Sequence, residues 1–334
     1  MIDEESIEIA FSSYKPSAPP EDASPTKVSE TFESISGWLR RKPIHGLKKW
    51  EWRYFTLAES KLKYYLTERD ITPSGVFNFN QLTGTIATIK TKGFVIDFHS
   101  CQHRFFYKAQ NEEDKRNWLT ALHINMMNAQ NTDKIMNAVS MKENFWKYER
   151  VSDYWFQTNA NTGDLIFFQA KAVGAKIQRN IGRSSFDHIA MVLCYSSGKI
   201  GVFEVTSANG VALVDWDDFH SLNWIDYYTK IVYRRLEVER SEFLLNDLQK
   251  FVNSTSGKSF GFSAKKIITR VNKKAGQEQD FFCSELVASA YKAIGLLPAD
   301  FKTTGVFPMH FEKDDGLPLR NATLGPLLQI DFDL

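Results

Sequence analysis

The sequence predicts two domains: a small antiparallel β-barrel capped by a C-terminal helix, then an α+β domain built on an antiparallel sheet. Three observations lead there. A chain of 334 residues exceeds what one hydrophobic core usually organises. Residues 35–128 hold seven short strand-like runs, the first two aromatic-rich, broken by Gly, Pro, Ser and Asn, and then a single helical period. Residues 145–334 mix apolar strand-like runs with two long helical ones.

In the first module the runs are SGWLRRK, WEWRYFTL, KLKYYL, GVFNFN, GTIATIK, GFVIDFH and RFFYKAQ. The first two flank a Pro/Gly/Lys loop, as in a hairpin. NEEDKRNWLTALHINMM changes period. Asn111 is an N-cap candidate, acids fill the first turn, and Trp118, Leu119, Leu122 and Met126 share one face. HSCQHR (99–104) alternates His99, Cys101 and His103; three candidate ligands between two strand runs read as a hairpin turn rather than a metal site. Residues 129–144 read as a linker. The second domain, from 145, supplies strand runs DLIFFQA, HIAMVLCYS, KIGVFEVT, GVALVDW and KIVYRRL, and helices SEFLLNDLQKFVNST and CSELVASAYKAIGLL.

Charge is unevenly distributed. Residues 1–34 carry eight acids and two lysines, whereas residues 35–128 carry fifteen Lys/Arg and eight acids. The remaining residues are balanced. A basic module between an acidic tail and a neutral half points to an anionic partner for the middle. The tail is rich in Ser, Pro and Glu and predicts disorder. It contains Pro16-Ser17-Ala18-Pro19, a short match to a tetrapeptide read by membrane-sorting machinery. Cys101, Cys194 and Cys283 form no paired framework, which fits a reducing compartment, and no signal or membrane-spanning segment is visible. The expected location is cytoplasmic and peripheral on membranes.

The residues with chemical potential lie in the second domain. His188 stands at the mouth of an apolar strand, and Glu204 follows in the next strand, inside GVFEVT. Antiparallel neighbours would set imidazole beside carboxylate, and an inward-facing carboxylate needs such a partner. Cys283 opens a helix, where the macrodipole favours thiolate and the residue's own N–H can face an oxyanion. Against these stand plain structural readings: a lone histidine at a strand mouth, a small buried cysteine, a core aromatic wall. Cys194, inside AMVLCYS, reads as core, and His220 and His310 as surface or loop residues to which the sequence places no partner. The stretches DDFHSLNWIDYY (217–228) and SFGFSAKKI (259–267) suit a cleft or a core equally.

The pattern Gly37-Trp38-Leu39, Trp50, Arg53-Tyr54-Phe55-x-Leu57, closing on Trp118, resembles the pleckstrin-homology (PH) domain over residues 35–128. The resemblance implies that basic residues of the first hairpin grip phosphates, through Arg41, Lys42, Lys49 and Arg53, with Lys48 nearby. Glu51 departs from the usual basic residue there. Phosphoinositide binding, looser attraction to an anionic membrane, and protein binding all remain open.

Thr162-Gly163-Asp164-Leu165, Asp187-His188-Ile189, Phe203-Glu204 followed by Asn209-Gly210-Val211, and Phe282-Cys283-Ser284-Glu285-Leu286 resemble the circularly permuted NlpC-type papain-like enzymes, among them YiiX-like hydrolases. That resemblance implies Cys283 as nucleophile, His188 as base and Glu204 as its orienting partner, with neither metal nor organic cofactor. Phe282 replaces a tyrosine frequent in the family. The expected protein is a membrane-recruited thiol hydrolase or acyltransferase acting on a lipid, an N-acyl amide or a peptide, and neither resemblance implies a nucleic-acid partner. A non-catalytic adaptor and an amidase of cell-wall-like peptides are the alternatives.

Overall fold

The computed structural model describes residues 24, 26–44, 49–130, 138–171, 184–206, 210–256 and 280–334, with side chains resuming at Cys283 after the last gap. The chain forms two compact units, Met1–Glu149 and Arg150–Leu334. Among the described residues, no helix is long and apolar enough to cross a membrane.

The first unit is an eight-stranded antiparallel sheet. Its strands are β1 (Lys27–Val28), β2 (Ile35–Arg41), β3 (Glu51–Ala58), β4 (Lys61–Tyr65), β5 (Gly75–Asn78), β6 (Gly84–Ile89), β7 (Gly93–Phe98) and β8 (Arg104–Lys108). The pairing path runs β5-β4-β3-β2-β8-β7-β6, with β1 added along β2. The expected barrel is therefore a sheet whose ladder is open between β5 and β6 among the described residues. Side chains alternate along β3: Phe55 and Leu57 are buried on the inner face, where Phe55 meets Trp118, while Trp52 and Tyr54 are buried on the opposite face in a cluster with Trp38.

Helix α1 (Glu112–Met127) follows. Asn111 caps it by accepting from the Asp114 N–H at 2.8 Å. Its buried stripe is Asp114, Trp118, Ala121, Leu122 and Asn125, and Trp118 stands edge-on to Phe55 with ring centres 6.4 Å apart. Leu119 and Met126 are only partly buried. Asn125 ties the helix to the sheet. It accepts from the Ser60 N–H at 3.0 Å, its own C=O accepts from Ser60 Oγ at 2.9 Å, and its amide donates to the Glu33 C=O at 3.1 Å. Ser60 needs this support. The two-residue β3–β4 turn puts Glu59 and Ser60 in the left-handed region at φ 50° and 58° without a glycine.

The residues directly after the expected linker pack against this unit. Phe145 and Trp146 stand edge-on to Phe105 at 6.1 and 5.3 Å, and the Val76 N–H donates to the Trp146 C=O. Aromatic burial thus draws residues placed by the sequence reading at the head of the second domain into the core of the first.

The second unit is a seven-stranded sheet. Its strands are β9 (Glu149–Ser152), β10 (Leu165–Ala170), β11 (His188–Cys194), β12 (Ile200–Thr206), β13 (Gly210–Asp215), β14 (Tyr228–Glu237) and β15 (Thr323–Asp331). The order is β13-β12-β11-β10-β14-β15-β9, antiparallel from β13 to β15. On one face Ile166, Phe168, Ala190, Val192, Val202, Ile231 and Tyr233 pack against α2 (Asp153–Asn159) and α3 (Trp216–Ser221), through Phe156, Trp216 and Phe219. The stretch 217–228 is thus core at Phe219. Helix α4 (Glu242–Thr255) adjoins α5 (Asp280–Ala293), and α5 lies along β11 and β12. The 259–267 stretch lies outside the described residues.

Asn125→Ala leaves the Ser60 N–H and the Glu33 C=O without their partner. It should cost about 2–3 kcal/mol, read as a lower denaturant midpoint at unchanged slope, whereas Asn128→Ala on the same helix should change little.

Candidate active site and basic rim

Two buried hubs fix the elements that carry His188, Glu204 and Cys283. The first explains the TGDL motif. Gly163 takes φ +93°, a conformation L residues avoid, and turns the chain into β10. Asp164, fully buried, then accepts from Tyr233 OH at 2.6 Å, Arg240 at 2.8 Å, and the N–H groups of Asn161 and Leu236 at 2.7 and 2.9 Å. Burial pushes its carboxyl up, and these donors pull it back towards the charged form. Tyr291 of α5 donates to the Gly163 C=O at 2.8 Å, so the cysteine helix is pinned to the same turn. Ser284, beside Cys283, is buried and donates to the Val306 C=O at 2.6 Å.

The second hub leads to His188. Arg234, fully buried on β14, donates to the C=O of Phe311 at 2.6 Å and of Gly325 at 2.7 Å and pairs with Asp314. This anchors the end of α6 (Pro308–Glu312). Glu312 in turn accepts from Ser184 Oγ and from the Ser185 N–H, just before β11. Asp187 accepts from the Ala170 N–H at 2.9 Å, opposite the bulge between β10 and β14. The strand mouth at His188 is thereby held from two sides.

The register Met191↔Phe203, continued one step, sets Ala190 opposite Glu204, with His188 as the diagonal neighbour on the same face. His188 Nε2 lies 2.6 Å from Glu204 Oε2. A carboxylate only accepts, so Nε2 carries the hydrogen and Nδ1 remains for another partner. The Cys283 side chain also engages the ring, by hydrogen bonding and by charge. Burial alone would lower the imidazole pKa. The hydrogen bonds and charges of Cys283 and Glu204 outweigh it and hold the ring well above its ordinary value. The Phe168 and Tyr228 rings back the imidazole, with Phe168 5.5 Å from His188 and 4.8 Å from Tyr228. Burial, with Glu204 and Asp187 nearby, raises Tyr228, so its hydroxyl stays protonated.

Cys283 is the fourth residue of α5 rather than its first, still within the turn where the macrodipole acts, and it is 1% exposed. The side chain of Phe282 and residue Asn209 lie outside the described residues. Cys194, read as core, is exposed: β11 ends there, and its sulfur meets the Ala160 C=O at 3.4 Å. His220, read as partnerless, pairs with Asp153 at 3.0 Å, and His310 accepts from the Phe307 N–H at 2.9 Å.

In the first unit, Arg41, Glu51 and Arg53 share the inner face of β2 and β3, since Arg41 pairs with Glu51 and Leu39 with Arg53. Arg41 lies over the Tyr64 ring at 4.3 Å. Glu51 pairs with Arg53 at 2.8 Å, so the acid in the hairpin neutralises one of its two inner arginines. Burial lowers the Arg53 pKa, Glu51 raises it, and Arg41 lowers it again. Lys42 sits over Phe106 at 5.6 Å, and Lys49 is exposed where the loop returns. Lys48 and Pro16–Pro19 lie outside the described residues. His99, Cys101 and His103 surround the β7–β8 turn, where the His103 N–H meets Cys101 Sγ at 3.4 Å.

The raised His188 pKa couples pH to stability. A pKa above the unfolded value of about 6.5 stabilises the fold fully below that pH. The contribution is lost as pH rises through the folded value. Thermal stability of the native chain should therefore fall on the alkaline side relative to neutral pH, and His188→Gln should flatten that slope.

Comparison with known proteins follows the same division. Residues 33–127 match the PH domain family. Residues 159–319 match the family described as permuted papain-like amidase enzyme, YaeF/YiiX, C92 family. Pleckstrin homology domain-containing protein 1 of Arabidopsis thaliana is 29% identical over 98 residues, 26% of this chain and 64% of that protein's length. Among solved structures, the N-terminal PH domain of human ARAP2 is 19% identical with a TM-score of 0.25, covering 30% of this chain and 84% of that one. The Slm1 PH domain in complex with phosphoserine is 24% identical with a TM-score of 0.25, covering 28% and 93%. The first family points to membrane or lipid binding and the second to hydrolysis of amides. The chain carries, in order, a PH domain and a YiiX-like permuted papain-like domain.

Proposed function

We propose that the protein is a membrane-associated cysteine hydrolase or acyltransferase that cleaves an amide or ester through an acyl-enzyme on Cys283. One observation carries this reading: the His188 ring bonds the Cys283 thiol while its Nε2 bonds Glu204 at 2.6 Å. In that arrangement His188 already holds the thiol proton, and Sγ attacks the substrate carbonyl carbon as the thiolate of the pair. Glu204 keeps the ring in the required tautomer and stabilises its charge. The imidazolium returns the proton to the leaving amine or alcohol as the C–N or C–O bond breaks. Water then attacks the thioester, giving a carboxylic acid and the free thiol. An alcohol or amine acceptor in place of water makes the same site an acyltransferase.

The PH domain supports a substrate held at a membrane: a lipid, an N-acyl amide or an acylated protein or peptide. Recruitment through Arg41, Lys42, Lys49 and Arg53 raises the effective concentration of such a substrate. A second reading, a domain that binds without turnover, is favoured by one observation: Cys283 is 1% exposed.

Labelling of the full chain by a thiol-directed acyl probe separates the two. The hydrolase reading expects rapid modification of Cys283, slowed on the order of a hundredfold or more by His188→Ala. Modification of Cys283 no faster than in the unfolded chain supports the binding-only reading. Glu204→Gln should move the alkaline limb of the labelling or turnover profile to lower pH by roughly a unit, because the ring loses a group that holds its proton.

A further inference from the structure

One end of the first unit gathers exposed apolar side chains beside its positive charge. Register fixes which end this is. Strands β2 and β3 pair Arg41 with Glu51, so the two are joined at that end. Strand β4 runs back along β3 with Tyr65 opposite Tyr54, so the connection 66–74 leaves the sheet at the same end. Strand β8 pairs Tyr107 with Arg41, and the Lys42 N–H donates to the Phe106 C=O, which carries the β7–β8 turn past Lys42. Residues 138–146 add a fourth piece. Met141 lines a cavity of about 310 Å³ together with Cys101, Gln102 and His103 of that turn. The Trp146 C=O accepts from the Val76 N–H where β5 begins. These residues lie beyond the stretch that matches the PH family.

Among the described residues, four large apolar side chains of the first unit are exposed: Leu66, Ile71, Met127 and Met141. Leu66, Ile71 and Met141 stand at this end, each more than half exposed. Met127 stands at the other, two residues past the Asn125 that bonds Ser60 of the β3–β4 turn. Leu66 and Ile71 flank a closed turn, in which Asp70 accepts from the Thr67 N–H at 2.9 Å and from its hydroxyl at 2.7 Å. The carboxylate thus stiffens the loop that carries both aliphatic residues. Cations share the end: Lys42, Lys49 and Arg69 are exposed there, beside Arg41. Glu51, Glu68 and Asp70 already have partners in Arg53, Lys27 and Thr67. A surface that sets aliphatic tips among cations fits a bilayer interface, where acyl chains take the first and lipid phosphates the second.

We propose that Leu66, Ile71 and Met141 enter the acyl edge of an anionic membrane while Arg41, Lys42, Lys49 and Arg69 contact its phosphates. The inference rests on the membrane-associated reading given above and adds to it an orientation and a depth. Insertion supplies the part of the affinity that salt leaves intact, and the cations supply the part that salt screens. Residues 138–146 thereby belong to the membrane-facing surface.

The test uses the native full chain and phosphatidylcholine vesicles, alone or with phosphatidylserine or phosphatidylinositol bisphosphate. Each vesicle carries a trace of phospholipid with a diazirine in its acyl chain. After irradiation, the anionic vesicles should cross-link peptides holding 66–71 and 141 and spare the peptide holding Met127. A full chain carrying Leu66→Ser, Ile71→Ser and Met141→Ser should melt at the native temperature and sediment with anionic vesicles about tenfold more weakly. That deficit should persist as salt rises, whereas the effect of Lys42→Glu with Lys49→Glu should shrink. Met127→Ser should sediment as the native chain does. A native chain that sediments with anionic vesicles but gives no acyl cross-links at 66–71 or 141 overturns the insertion and leaves the membrane reading standing. Equal sedimentation of the triple variant does the same. A native chain that sediments with none of the vesicles overturns the membrane reading and the insertion together.

Discussion

An imidazole held between a carboxylate and a thiol, with most of its surface withdrawn from water, is the arrangement on which the second unit is organised. Removing a titratable ring from solvent is costly unless it finds partners, and here Glu204 and Cys283 both engage it. The carboxylate comes from the neighbouring strand and the thiol from a helix laid across both strands. No single element could satisfy the ring, so the antiparallel register and the position of α5 are set together. The buried Asp164 and Arg234 hubs serve this end: one ties α5 to the turn before β10, and the other fixes the chain just ahead of β11.

The same economy of partners governs the first unit. Its turn residue Ser60 and Thr26, just before β1, are held by the α1 side chains Asn125 and Asp114, and the helix start is held by Asn111, which accepts from the Asp114 N–H. The positive rim differs because it is incompletely balanced. Glu51 quenches Arg53 alone, and Arg41 relies on the face of Tyr64.

Much of this was legible in the sequence where the signal was local or periodic. The seven strand runs, the N-cap at Asn111, Trp118 on the buried helix face and the His188–Glu204 pair follow from period, capping chemistry and the cost of an inward carboxylate. The errors came where tertiary packing decides. Phe145 and Trp146 read as the start of a new domain because sequence order carries no information about which core an aromatic pair joins. Cys194 read as core because an apolar run hides the residue at which its strand ends. His220 read as partnerless because Asp153 lies far away in sequence. The roles of Arg234 and Glu312 had no sequence signal, since a buried arginine in KIVYRRL looks like any strand-edge charge. Glu51 was noticed as a departure, but its pairing with Arg53 needed the cross-strand register.

The most direct measurement is the side-chain NMR titration of His188 in the native chain and in Cys283→Ser. The account predicts an imidazolium that persists well above the ordinary histidine value of about 6.5, with the titration moving down when the thiol is replaced. A ring that titrates at the ordinary value and ignores the substitution would show that His188 and Cys283 do not act on one another.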